Sequence, residues 1–144
     1  MNSLRISLAL LMFLLFASFM QPVRAADKDQ MLLLQKSFPT ESGERLKVNA
    51  YSGDVKIDCW HNNEIVIKIY GSSDAVKYLN FDVSSDEMGI NIAAVKKAGI
   101  DKVKNFNLRY EICVPHDYCV KVTGGKGNVN VENPRVPVEI SKSK

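Results

Sequence analysis

Histidine occurs twice in this chain, tryptophan once and cysteine three times. So few histidines and cysteines provide no companion cluster to complete a closed zinc site. No Gly-x-Ser-x-Gly or His-Glu-x-x-His motif is present, and no Asp-rich calcium loop. The acids Asp54, Asp58, Asp82 and Asp86 are scattered over strand ends and corners, so sequence pairs no carboxylates for glycoside chemistry. No segment sustains a period of 3.6 residues, which excludes a long helix, and no apolar run beyond Met20 is long enough to span a bilayer. An excess of charge is missing too. Setting aside the first 25 residues, which carry Arg5 and Arg24, lowers Lys plus Arg from 19 to 17 against 16 acids. A net charge of about +1 gives no long-range reason to expect nucleic acid or an anionic membrane as partner.

What is present begins with a targeting segment. Arg5 supplies a positive start, Ile6 to Met20 is uncharged and mostly apolar, and Val23-Arg24-Ala25 places small residues where a signal peptidase cuts. Fifteen residues at helical rise reach only about 22 Å, short of a bilayer core. Residues 1–25 are therefore expected to be a signal peptide, and 26–144 a single β-rich domain. No cysteine follows the apolar run before Cys59, which argues against a lipid anchor.

The organising stretch is Leu46 to Tyr70. Its runs Leu46-Lys47-Val48, Val55-Lys56-Ile57 and Ile65-Val66-Ile67-Lys68-Ile69 alternate with a period of two, separated by Ser52-Gly53-Asp54 and His61-Asn62-Asn63. Leu32 to Phe38 reads as an earlier strand stopped by Pro39. Ala75 to Leu79 reads as a short helix after Ser72-Ser73-Asp74, and Phe81 to Val83 and Ile90 to Val95 as strands around Asp86-Glu87-Met88-Gly89. Lys96 to Lys104 reads as an exposed loop. Leu108 to Val114 is the cleanest strand, with Leu108, Tyr110, Ile112 and Val114 facing inward. Then Val120-Lys121-Val122, Val129-Asn130-Val131 and Val138-Glu139-Ile140 repeat one triplet at a spacing of nine, with Gly124-Gly125-Lys126-Gly127 and Asn133-Pro134 at the corners.

A short strand every nine or ten residues predicts an all-β fold. The leading expectation is a short β-solenoid resembling a right-handed β-helix, each nine- or ten-residue unit one side plus its corner; the alternative is an antiparallel sandwich.

The ordered set Phe38, Leu46-Lys47-Val48, Ser52 to Ile57, Trp60 and Glu64 to Ile67 resembles the start of the bacterial putative-adhesin domain, a family of unknown function related to the head domain of putative autotransporter adhesins. Met88 to Ile92, Tyr110 to Pro115 and Gly124 to Val131 continue the likeness, which covers about Phe38 to Val131. The resemblance implies an exported, non-enzymatic, β-helical domain, and brings no catalytic residues. Many members run on for more Gly-Val repeats than this sequence does.

Among candidate site residues, Cys59 shares the inward parity of Val55 and Ile57 and is expected in the core. Cys113 and Cys119 flank the Pro115 to Tyr118 turn with outward parity, and would form a disulfide if their strands lay side by side. Cys113-x-x-His116-x-x-Cys119 imitates metal spacing without a fourth ligand. Gly124 to Gly127 lacks the Lys-Ser/Thr ending and helix of a phosphate loop, and reads as a corner. Trp60 and Tyr51 offer rings that either stack on a sugar or partner or cover the end of the core. Val138, Glu139 and Ile140 form the last triplet, an edge expected to be a cap or an interface, with Pro134 and Pro137 beside it and a charged Ser141 to Lys144 tail discouraging further pairing.

The function expected from these features is an exported binding or structural module of the bacterial envelope, periplasmic or at the cell surface. It is expected to be mainly monomeric, without cofactor, and to meet a protein or glycan partner. The alternatives are an accessory protein that binds by strand addition, or an exported hydrolase, which would need His61, His116 and acids gathered in one pocket.

Overall fold

Alternation of apolar and polar residues places ten strands and one helical turn in the computed structural model, which describes residues 30–41, 43–101 and 106–142. The expected signal segment, 1–25, lies outside the described residues. In chain order the elements are β1 Met31–Pro39, β2 Arg45–Asn49, β3 Asp54–Trp60, β4 Glu64–Gly71, α1 Ala75–Tyr78, β5 Leu79–Asp86, β6 Gly89–Lys96, β7 Arg109–Pro115, β8 Cys119–Thr123, β9 Val129–Glu132 and β10 Val138–Ser141. Asp74 opens α1 without capping it; its carboxylate instead takes the Lys77 ammonium at 2.8 Å. Asp86 closes the β5–β6 hairpin, accepting the Met88 and Gly89 N–H groups at 2.8 and 3.1 Å.

The strands form two five-stranded sheets, in the orders β1-β4-β7-β3-β9 and β10-β8-β2-β6-β5. Both are mixed. β3 lies parallel to β7 and β9, β2 parallel to β6 and β8, and β8 parallel to β10, while β4 runs antiparallel to β1 and β7, and β5 to β6. Each nine-residue step in the repeated part carries the chain from one sheet to the other. Leu46 to Val48 therefore pair with Val120 to Val122, and Val55 to Ile57 with Val129 to Val131. The unbroken solenoid foremost among the expectations does not follow, because β1, β4 and β5 join by antiparallel pairing and the rhythm does not run through the whole chain. The sandwich fits better, though with mixed sheets instead of purely antiparallel ones.

One core lies between the sheets. Its largest fully buried side chains include Tyr110, Tyr118, Leu46, Ile57, Ile67 and Ile112, and Cys59 is buried among them as its parity requires. Burying an apolar side chain of this size is worth about 1.5–3 kcal/mol, so Tyr110, Ile112 and Val114 of β7, with Leu108 just before it, anchor the first sheet at its centre.

Corners stack as tightly as strands. Gly53 has φ of +99°, and a Cβ there would lie 1.8 Å from the Leu108 carbonyl oxygen. A Cβ on Gly127 would lie 1.9 Å from the Gly53 carbonyl oxygen. Only glycine lets these turns approach so closely. Beside them the Asn128 N–H donates to Asp54 Oδ1 at 2.8 Å.

Candidate functional site

Parallel register brings three corners together at one end of the sandwich. Trp60 pairs with Pro115 as the last partners of β3 and β7, so the next residues, His61 and His116, become neighbours. Their rings meet edge to face, with centroids 4.4 Å apart and planes at 70°. Asp58 pairs with Glu132 at the end of β9, which delivers Asn133, Pro134 and Arg135 to the same place. The result is an open groove of about 470 Å³, walled by Trp60, the two histidines, Asn133, Pro134 and Arg135, with Cys59 beneath.

Hydrogen bonds set the orientation of this wall. The His116 main-chain N–H donates to the Trp60 carbonyl at 3.0 Å. Its ring Nδ1 lies 3.1 Å from the Asn133 carbonyl oxygen. A carbonyl only accepts, so Nδ1 carries a proton, and whenever the ring is uncharged its lone pair lies on Nε2. That Nε2 is buried and has no hydrogen-bond partner. Asn133 holds its carbonyl there from the left-handed region, φ +55°, which asparagine tolerates better than most residues. The Trp60 indole N–H donates to the Glu64 carbonyl at 2.8 Å and holds the half-buried ring against the β3–β4 turn. Burial pushes the Cys59 thiol above its ordinary pKa, and the nearby Asp58 carboxylate adds to this. The thiol therefore stays protonated at neutral pH and is a poor nucleophile.

The structure brings together His61, His116 and Trp60 from among the residues singled out by sequence. It does not add acids to them. Asp117 is turned away, accepting the Gly43 N–H at 3.1 Å, and among the described residues no three of His, Cys, Asp and Glu are grouped to hold a metal ion. Cys113 and Cys119 are free thiols. Their strands, β7 and β8, belong to different sheets, so the side-by-side placement a bridge required does not occur. Gly124 and Gly125 form a corner, with the Gly124 N–H bonded to the Ser141 carbonyl at 3.1 Å. Tyr51 lies in another shallow groove near Lys96 and Lys126, apart from Trp60. Val138, Glu139 and Ile140 lie on β10, the outer strand of its sheet; Val138 packs on the core, Glu139 pairs with Lys121 at 3.0 Å, and Ile140 is 46% exposed. Asn133 stood out from sequence only as a corner residue and Arg135 not at all, since only the pairing of β9 with β3 gives them their place.

No family model matches the chain, and no curated protein does. Among solved structures it is similar to a putative cell adhesion protein from Clostridium sporogenes ATCC 15579, at 12% identity and a TM-score of 0.40 over 75% of this chain and 58% of that one. A putative adhesin from Bacteroides fragilis NCTC 9343 is similar at 14% identity and a TM-score of 0.44, over 78% and 56% of the two chains. So is a putative lipid binding protein from Parabacteroides distasonis ATCC 8503, at 10% identity and a TM-score of 0.36, over 81% and 63%. The chain spans less than two thirds of the length of each.

Proposed function

We propose that this protein is an exported, non-enzymatic binding module of the bacterial cell envelope, adhesin-like, that takes a glycan or protein partner at the corner groove. The observation that carries the reading is the groove itself: an indole held in place by its own N–H bond, beside two imidazoles and an exposed guanidinium. An aromatic surface next to a few fixed polar groups suits sugar rings and protein side chains alike. Export is supported by the charged start, apolar run and Val23-Arg24-Ala25 of the first segment. The test is binding of labelled protein to a glycan array and to envelope fractions. Trp60→Ala and Arg135→Ala are expected to weaken capture at least about tenfold, in line with the weight of aromatic and arginine anchors. Unchanged capture by both variants would remove the groove from the reading.

A second reading has its own observation. β10 is an outer strand in parallel register with β8, with a half-exposed Ile140, and so offers an edge for strand addition through Val138, Glu139 and Ile140. The parallel stacking of β2, β8 and β10 supports describing this part of the sandwich as a short coil-like stack with β10 as its last layer. Deleting Asn133 to Lys144 and measuring sedimentation tests it; a deleted form that is as soluble, as stable and as monomeric as the full chain would remove this edge as cap or interface.

A further inference from the structure

We propose that His61 and His116 together bind a divalent transition-metal cation of the zinc class, through one ring nitrogen each. Three features of the corner lead there. The Asn133 carbonyl takes the Nδ1 proton of His116, the main-chain hold that orients metal-ligating histidines and makes the other nitrogen the donor. That donor, Nε2, is buried without a hydrogen-bond partner from the protein, a state that costs free energy until a hydrogen-bond donor or a cation meets the lone pair. The second imidazole is already at 4.4 Å, on an exposed turn residue, and among the described residues nothing is hydrogen-bonded to its ring. A turn of the His61 side chain would be needed to replace this edge-to-face contact with two nitrogens facing one ion. Imidazole nitrogen is a preferred ligand for zinc, copper and nickel.

The surroundings define what kind of site this is. Among the described residues no three of His, Cys, Asp and Glu are placed to hold one ion, so two positions of a tetrahedral ion would stay open. Arg135 on the same groove opposes a bare cation but favours one that also carries an anionic group. The site is therefore suited to an ion shared with a second molecule, a carboxylate or a phosphate, and not to a closed structural centre. The inference stands apart from the partner reading above, because its readout is the ion itself.

The experiment is a titration of the full chain with Zn²⁺, followed by calorimetry and by ¹⁵N signals of the histidine rings. The expected result is one ion per chain, with shifts at His116 Nε2 and at a His61 nitrogen. His61→Gln and His116→Gln are each expected to weaken binding at least about tenfold, the scale on which ligand orientation matters. Cys113→Ser with Cys119→Ser is expected to leave binding unchanged. His61 is exposed, so its variant tests the site without disturbing the fold. Absence of binding at millimolar Zn²⁺, binding that survives His61→Gln, or binding lost in the double cysteine variant would each overturn the proposal.

Discussion

The Tyr118 hydroxyl donates a 2.6 Å hydrogen bond to Glu44 Oε2, across a sequence separation of 74 residues. The same separation recurs between Gly43 and Asp117 and between Asp54 and Asn128. All three contacts follow from one register, in which β2 and β3 lie against β8 and β9 with a constant offset. Tyr118 and Glu44 stand just before strands that pair from Arg45 and Cys119 onward, so their bond pins the start of that register.

That bond bears on alkaline stability. Burial, and then the bond to Glu44, raise the Tyr118 pKa above its ordinary 10.0, and burial raises that of Tyr110. A folded phenol that holds its proton more tightly than the unfolded one contributes stability below the unfolded pKa. That contribution is lost as pH climbs past about 10. Urea unfolding between pH 7 and 11 is expected to show falling stability from about pH 10. Tyr118→Phe is expected to cost about 1 kcal/mol at pH 7 and to flatten the decline.

The stacked corners give a second expectation. Gly127→Ala and Gly53→Ala each force a Cβ against a carbonyl oxygen, and are expected to lose about 2–4 kcal/mol. Gly99 also has positive φ, +79°, but nothing lies within 4 Å of its Cβ position. Gly99→Ala is therefore expected to cost only about 1 kcal/mol of backbone strain. Thermal melts of the three variants check the difference.

Ile57 and Ile140 separate the core from the edge. Ile57 is fully buried between Ile112 and Val131 of its neighbouring strands, so Ile57→Ala is expected to lose about 2–5 kcal/mol. Ile140→Ala, at 46% exposure, is expected to change stability by less than about 1 kcal/mol. Denaturant midpoints measure both.

Thiol labelling read by mass spectrometry ranks the cysteines. Cys119 is exposed and is expected to react first, Cys113 is half-buried and slower, and Cys59 reacts only on unfolding. Burial raises the pKa of both Cys59 and Cys113, which slows them further at neutral pH.

Much of this architecture was legible in the sequence, because inward and outward faces are written into each strand. The alternation from Leu108 to Val114 located β7, and the nine-residue triplets located β8, β9 and β10. The pairing partners were not legible. β4 alternates as clearly as β7, yet nothing local tells it to run antiparallel between β1 and β7, since hydrogen-bond direction depends on strands far away in the chain. The site was half legible for the same reason. His61 and His116 drew notice as the two histidines, both in turns, but their contact depends on the pairing of Trp60 with Pro115. Arg135 and Asn133 depend on β9 joining β3, a step the triplet spacing does not specify.

The placement of β2 and β3 has a consequence for the order of assembly. Both are made early, yet each lies in the interior of its sheet with neighbours from the later half of the chain: β6 and β8 for one, β7 and β9 for the other. During synthesis from the N-terminus β3 has neither parallel neighbour until β7 appears, and only one until residues 129–132 follow. Contacts this distant in sequence slow folding and postpone its completion. A nascent chain built in this way cannot close the ladder around β3 until residues 129–132 have left the ribosome.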